Sequence, residues 1–479
     1  MPSLQARSTR LTVMLTASIV FSGCAVGPNY APPHPQMAAS FRATAGLPSA
    51  TAPQADLASW WRAFGDPMLE KVVEQALAEN LDLAQAVARV REARAAAGIA
   101  RAALLPSGEL NASAATAHQS VETPTGRIEQ AFGIDRNGNL YEADAGASWE
   151  VDVFGGLRRG QQGAFADYQA ADAGAAAARV AVVAEAADNY ILLRTLQARL
   201  AIAREQAETQ RQLLDLAHLR HARGILAEAG LHESESASTS VEAQVPALES
   251  ALELATNALE VLMGVMPGSW HTALAAPSAI PAPPAIVSAV GPASLLRRRP
   301  DIIVAERKLA AANARIGAAM AEYYPRFSIS ALLGFSSTSA ESLLGGGARQ
   351  AQAIAGVRWR LFDFGRVDSE VGAARGRYAE VLAAYRQTVL QATADVENAF
   401  TSLTKSQEQS RLLQSSEDSL DGQRRSVRIA LARGAASRVD VLQSTGRLLQ
   451  VRDARVTAQS DAARAAIASF RALGGGWHG

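Results

Sequence analysis

The residues able to do chemistry are few, and their spacing suits little of it. One cysteine, Cys24, occurs in 479 residues, which removes any internal disulfide and any cysteine-based zinc site. His232-Glu233 has no second histidine at zincin spacing. Gly345 to Gly347 are not followed by the Lys-Ser/Thr of a phosphate-binding loop, and read as a turn between strands. His218 and His221 lie three apart on an expected helix and could share a metal, but without a third ligand a solvated pair is the better reading. We therefore assign no catalytic, cofactor-binding or metal residue and expect no enzyme. Lys+Arg and Asp+Glu both count 46, so the chain lacks the cationic excess of a nucleic-acid binder. Function must reside in groups that anchor, line or shape.

Cys24 is the first of these. Arg7 and Arg10 precede the apolar run Leu11 to Phe21, too short to span a bilayer, which takes about 20 residues. Ser22-Gly23-Cys24 then resembles a bacterial lipobox, in which the thiol receives a diacylglycerol and the freed amine a third acyl chain. Residues 1–23 read as a lipoprotein signal peptide. Ala25, where Asp would favour inner-membrane retention, implies sorting to the outer membrane.

The elements that must position any such site are mostly helical. Hydrophobic residues make 48% of the chain but aromatics only 5%, and 102 residues are alanine, a composition for closely apposed helices. Eight of the 19 prolines fall at or before Pro67 and seven between Pro267 and Pro300. Proline breaks helix interiors, so the proline-free stretches Leu157 to Ala222 and Arg366 to Ala432 each read as one helix of about 100 Å. In the second, Tyr385, Val389, Ala392, Val396, Ala399 and Leu403 recur at the 3.5-residue period of coiled-coil packing.

The chain also repeats. Ala222-Arg223-Gly224 returns as Ala432-Arg433-Gly434 and Phe154-Gly155 as Phe364-Gly365, both 210 residues on; upstream, Gly98 and Pro106 return as Gly317 and Pro325 at 219. The nine-residue difference must fall between Pro106 and Phe154. There, from Glu142 to Val153, Ala147, Trp149, Val151 and their apolar fellows alternate with acidic or small polar residues. Period two puts one apolar and one polar face on a strand, the pattern of a transmembrane β-barrel, with Ala147, Trp149 and Val151 facing lipid. Leu110, Ala112 and Ala114, then Phe327 to Phe335, then Val357, Trp359 and Leu361 give three further strands. Four strands cannot close around water and would leave edges unsatisfied in lipid, so three chains supplying twelve strands are expected.

These residues carry a resemblance. CAVGPNYAPP from Cys24, WWRAFGDPMLEKVVEQALAENLDLAQAVARV from Trp60 and LLRRRPDIIVAERKLAAANARIGAA from Leu295 resemble the TolC-like outer-membrane efflux proteins, in their NodT-type lipoprotein branch, over essentially the whole mature length. The resemblance implies a homotrimer: a 12-stranded β-barrel continued by a long periplasmic α-helical barrel, with a small mixed equatorial domain. It implies an exit duct of a tripartite RND-type efflux pump for drugs or other small toxic compounds, joined to a periplasmic adaptor and an inner-membrane transporter. A type I protein-secretion duct and a non-transporting periplasmic lipoprotein are the alternatives; membrane strands speak against the last. The expected order is an extended segment 24–66, a first repeat 67–264, a proline-rich equatorial linker 265–300, a second repeat 301–472 and a tail 473–479. Asp301 with Arg297 to Arg299 is expected to cap and balance the start of a helix.

Arg223-Gly224 and Arg433-Gly434 end the two long helices, where glycine supplies the left-handed conformation of a reversal. By resemblance these turns form the periplasmic tip where an adaptor docks and the resting pore closes. Glu228, Arg438, Asp440 and Gln443 are the candidate gate groups. Many relatives carry Leu-Asp-Ala where this chain has Leu442-Gln443-Ser444.

Overall fold

The computed structural model describes residues 25–43, 56–286 and 291–477; the signal peptide and Cys24 lie outside them. The order is α1 (Pro67–Glu79), α2 (Leu81–Ala102), β1 (Ser107–His118), α3 (Pro124–Ala131), β2 (Asn137–Val151), α4 (Gly156–Ala222), α5 (Glu228–Glu242), α6 (Gln244–Leu262), α7 (His271–Ala275), α8 (Leu295–Arg298), α9 (Pro300–Ala321), β3 (Arg326–Ser337), β4 (Arg349–Arg358), α10 (Arg366–Ala432) and α11 (Arg438–Ala472). The two proline-free stretches are single helices of 67 residues each. Among the described residues, no helix is long and apolar enough to cross a membrane.

The chain divides into two units. One holds the described residues to Pro33 with Arg91–Ala170 and Glu306–Ala384. It contains the only sheet among the described residues, antiparallel in the order β1-β2-β3-β4. Ser107 faces Ser148 in the first hairpin and Arg326 faces Arg358 in the second, positions 219 and 210 further on. The strands are shorter than the alternation suggested. β2 ends at Val151 and β4 at Arg358, so Val153, Trp359 and Leu361 lie past the ladder. The β1–β2 connection also carries α3, with Thr123 as its cap and Pro124 in its first turn, which a period-two pattern could not reveal.

The other unit holds His34–Val90, Ala171–Ala305 and Tyr385–Gly479. Its core explains much of the motif sequence. Trp60 stacks on Phe470 at 5.2 Å, with Trp61 and Phe64 buried beside it. Gly65 then turns left-handed (φ 65°) and Asp66 caps α1, accepting from the Met68 and Leu69 amides at 2.8 and 3.1 Å. The second Asp66 oxygen accepts from the Tyr190 hydroxyl at 2.8 Å, and that hydroxyl accepts from Arg194 Nε at 3.0 Å. Burial first, then the Asp66 bond, raises the Tyr190 pKa, so the phenol stays neutral and donates. All six α10 residues at the 3.5-residue period are buried in this core. Each large apolar side chain among them contributes about 1.5–3 kcal/mol.

Candidate functional site

The sheet has two unlike faces. The cross-strand rungs Leu110–Ala145–Leu333–Ala351 and Trp149–Ile329–Ala355 carry only apolar side chains. Ala147 and Val151 lie on the same face, in rungs with Ala331 and Phe327. The alternate rungs carry Glu109–Gly146–Leu332–Gln352 and Asn111–Asp144–Gly334–Gln350, and Gln350 donates to Asp144 at 2.8 Å. One face therefore suits hydrocarbon and the other water.

Trp149 stands two residues before the end of β2, and its Nε1 donates to the Leu104 carbonyl at 2.9 Å. Trp359, 210 residues on and just past β4, donates in the same way to the Tyr323 carbonyl at 3.0 Å. An apolar ring with its polar edge satisfied suits the border of a bilayer, where aromatic girdles sit.

The segment following Cys24 is strapped to this end of the sheet. The Val26 amide donates to the Phe154 carbonyl at 3.0 Å. Arg159, almost fully buried, donates to the carbonyls of Val26 and Gly27 at 3.0 and 3.1 Å and to Asn29 Oδ1 at 2.9 Å. Asn313 donates to the Pro28 carbonyl at 3.0 Å, and the Tyr30 hydroxyl bonds Glu306. Gly27 (φ 90°) lies so close to α9 that a Cβ there would come 2.4 Å from the Gly317 Cα. This accounts for the Val-Gly-Pro-Asn-Tyr string: it fixes the backbone from two residues after Cys24 beside the strand ends.

In the other unit, the two helix turns are built alike. Gly224 (φ 69°) and Gly434 (φ 74°) are both left-handed. The Ile225 amide reaches the Arg220 carbonyl at 2.8 Å, and Ala435 reaches Ala430 at 2.9 Å, 210 residues on. These are the 6→1 bonds of a Schellman reversal. Arg223 and Arg433 are exposed beside their glycines. His221 Nδ1 lies 3.0 Å from the Leu226 carbonyl, so that ring serves its own turn.

Among the described residues, the structure does not bring the four gate candidates together through hydrogen bonds or ion pairs. Asp440 forms a capping box with Ser437: its carboxylate accepts from the Ser437 hydroxyl and amide at 2.7 Å each, and its amide donates to the hydroxyl at 3.2 Å. Those bonds hold the carboxyl below the usual range, so the cap is intact at neutral pH and weakens only as pH falls through that lowered value. Arg438 reaches Gln212 at 3.4 Å, Glu228 lies 3.8 Å from His232 Nε2, and Gln443 is exposed between buried Leu442 and Ser444.

Two charged clusters reach further than sequence reasoning showed. Arg299 does more than complement a helix start. It grips Asp301 and Asp395, at 3.1 Å for the latter, and points Nη1 at the Ala392 and Ala472 carbonyls, both at 3.3 Å. Burial opposes its charge, but the two carboxylates prevail and its pKa is raised. Glu417, nearly buried, takes Arg452 Nε at 2.9 Å and pairs with Arg455, tying α10 to α11. Only the Arg299–Asp301 pair was legible locally; the other partners lie 35 to 173 residues away and leave no local signal.

Comparison with known proteins places this geometry. A model described as outer membrane efflux protein matches residues 72–265 and 291–475. Nodulation protein T of Rhizobium leguminosarum bv. trifolii is 29% identical over 442 residues, covering 91% of each chain. The pyoverdine export outer membrane protein OpmQ of Pseudomonas aeruginosa is 30% identical, covering 88% of each. The solved outer-membrane channel OprN superposes with a TM-score of 0.83 at 32% identity, over 95% of this chain and 100% of that one. The chain belongs to the outer membrane efflux protein family and is an outer-membrane efflux channel.

Proposed function

We propose that three copies of this chain form the exit duct of a tripartite RND-type pump for small toxic compounds, docked to a periplasmic adaptor and through it to an inner-membrane transporter. The observation that carries this reading is the four-stranded sheet with one apolar face and, among the described residues, no strand on the outer side of β1 or β4. Such edges are untenable in hydrocarbon, and three copies give twelve strands, above the roughly eight that merely fill with side chains. Two copies of one ancestral unit account for the matched hairpin registers and turns. The Arg-Gly turns are the proposed adaptor contacts. The similarity to OpmQ, a pyoverdine export protein, favours small-compound cargo over type I protein secretion.

Cys24 is the proposed lipid anchor, since Val26 is held at the ends of the strands just beyond it. Native mass measurement of the protein extracted from outer membranes tests both points. It should find three chains, each beginning at residue 24 with acyl chains attached. Cys24→Ala should lose the acyl mass and keep the trimer. A monomer, or acyl mass persisting in Cys24→Ala, would overturn the corresponding statement.

A further inference from the structure

We propose that the loop helix α3 of each copy reaches over the outer mouth of the duct, where Ile128, Phe132 and Ile134 of three copies meet as an apolar plug. The proposal rests on the trimeric reading above and concerns the end of the duct away from the Arg-Gly turns.

The connection carrying α3 is a built element. The ladder continues past the strands, with the Gln119 amide donating to the Arg136 carbonyl at 2.8 Å. Thr123 caps α3, its hydroxyl accepting from the Gly126 amide at 3.2 Å. Beyond the helix Gly133 turns left-handed (φ 64°). Its amide donates to the Gln130 carbonyl at 3.2 Å, and the Ile134 amide donates to that of Glu129 at 2.8 Å. These are the two bonds of a Schellman reversal, which returns Ile134 toward Ile128. Ile128 and Phe132 stand four apart on one helix face. The three side chains form an apolar knob, and they are 57, 78 and 55% exposed.

Lipid does not account for this knob. On the apolar face, Trp149 and Tyr141 stand eight residues apart on β2. That is about 27 Å of tilted strand, enough for most of an apolar band about 25 Å tall. The connection 119–136 therefore stands clear of the bilayer. Past Tyr141 the two faces of the hairpin exchange character. The face that meets lipid continues as Thr116–Asn139 and His118–Asn137, with His118 Nδ1 2.8 Å from Asn137 Oδ1. The face that meets the lumen continues as Ala115–Leu140 and Ala117–Gly138. The rim is thus polar outward and apolar inward, and the knob matches its inner side. No neighbouring atom lies within 4 Å of where a Cβ on Gly138 would stand, so one chain leaves that inner rim open.

The dimensions agree. Twelve strands about 4.8 Å apart, tilted near 40°, put the wall about 12 Å from the axis. The eight residues of α3 make a helix about 12 Å long. One α3 from each copy therefore reaches the centre, where the three knobs cover one another. Such a constriction excludes water and ions by dewetting.

Single cysteines in the full chain test this, with native Cys24 as the only other thiol and the parent as its control. In a protein whose native mass is trimeric, Phe132→Cys with a short bismaleimide should give a covalent pair of chains, since a two-armed linker joins two of three copies. Gln130→Cys, on the opposite side of α3, should give little. No pair from Phe132→Cys, or an equal one from Gln130→Cys, would overturn the plug and leave the trimer standing. A monomeric mass would remove the trimeric reading itself. On intact cells, a membrane-impermeant maleimide should label lumenal Ser148→Cys several-fold faster once Phe132→Ser is added, and no faster with Gln130→Ser. An unchanged rate with Phe132→Ser would contradict the barrier. Bimane attached at Phe132→Cys should stay bright in vesicles of brominated phosphatidylcholine. Quenching there would place the knob in lipid instead of over the mouth.

Discussion

Replacing Gly224 and Gly434 together by valine should abolish export while leaving the trimer in the outer membrane. Both glycines are left-handed, and no neighbouring atom lies within 4 Å of where a Cβ would stand. The penalty is therefore backbone strain alone, about 1–2 kcal/mol at each turn. For the pair, that depletes the native turns by roughly 30- to 700-fold. The core around Trp60, Tyr190 and Phe400 does not involve these residues. Adaptor crosslinking and export should both fall, with trimer yield unchanged. Export at the parental rate from normally expressed double variant would remove the turns from the docking role.

Ala145→Arg should prevent assembly, and Ser148→Arg should not. Ala145 lies at mid-strand between Leu110 and Leu333 on the apolar face, where a cation at the bilayer midplane costs about 2–4 kcal/mol. Ser148 lies on the opposite face, between Ser107 and Ser330. Trp149 is the weaker probe, because it sits near the end of β2, where the penalty falls to about 0–1 kcal/mol. The amount of heat-modifiable oligomer in outer-membrane fractions reads the difference. Equal defects would contradict the assigned faces.

What the sequence reveals depends on whether the signal is periodic or local. The seam from Tyr385 to Leu403 was legible because each residue packs at a fixed interval, and all six are buried. The strand faces were legible for the same reason, and the glycine turns because φ demands are local. The strap after Cys24 was not. Arg159 meets Gly27 across 132 residues and Asn313 meets Pro28 across 285, and no spacing rule reaches so far. Asp440 shows a further limit: it reads as a charge beside a turn, and only the structure adds that its carboxylate caps α11 through Ser437. The strand ends were misplaced because Trp359 and Leu361 continue the alternation after hydrogen bonding to β3 has stopped at Arg358.

The claim that this chain is the exit duct is tested most directly by its removal from the native cell. Intracellular accumulation of a panel of small dyes and drugs should rise when the chain is deleted, with the outer membrane otherwise intact, and return to the parental level when it is restored. Accumulation and susceptibility unchanged across the panel, in cells that make the chain at normal level beforehand, would contradict it.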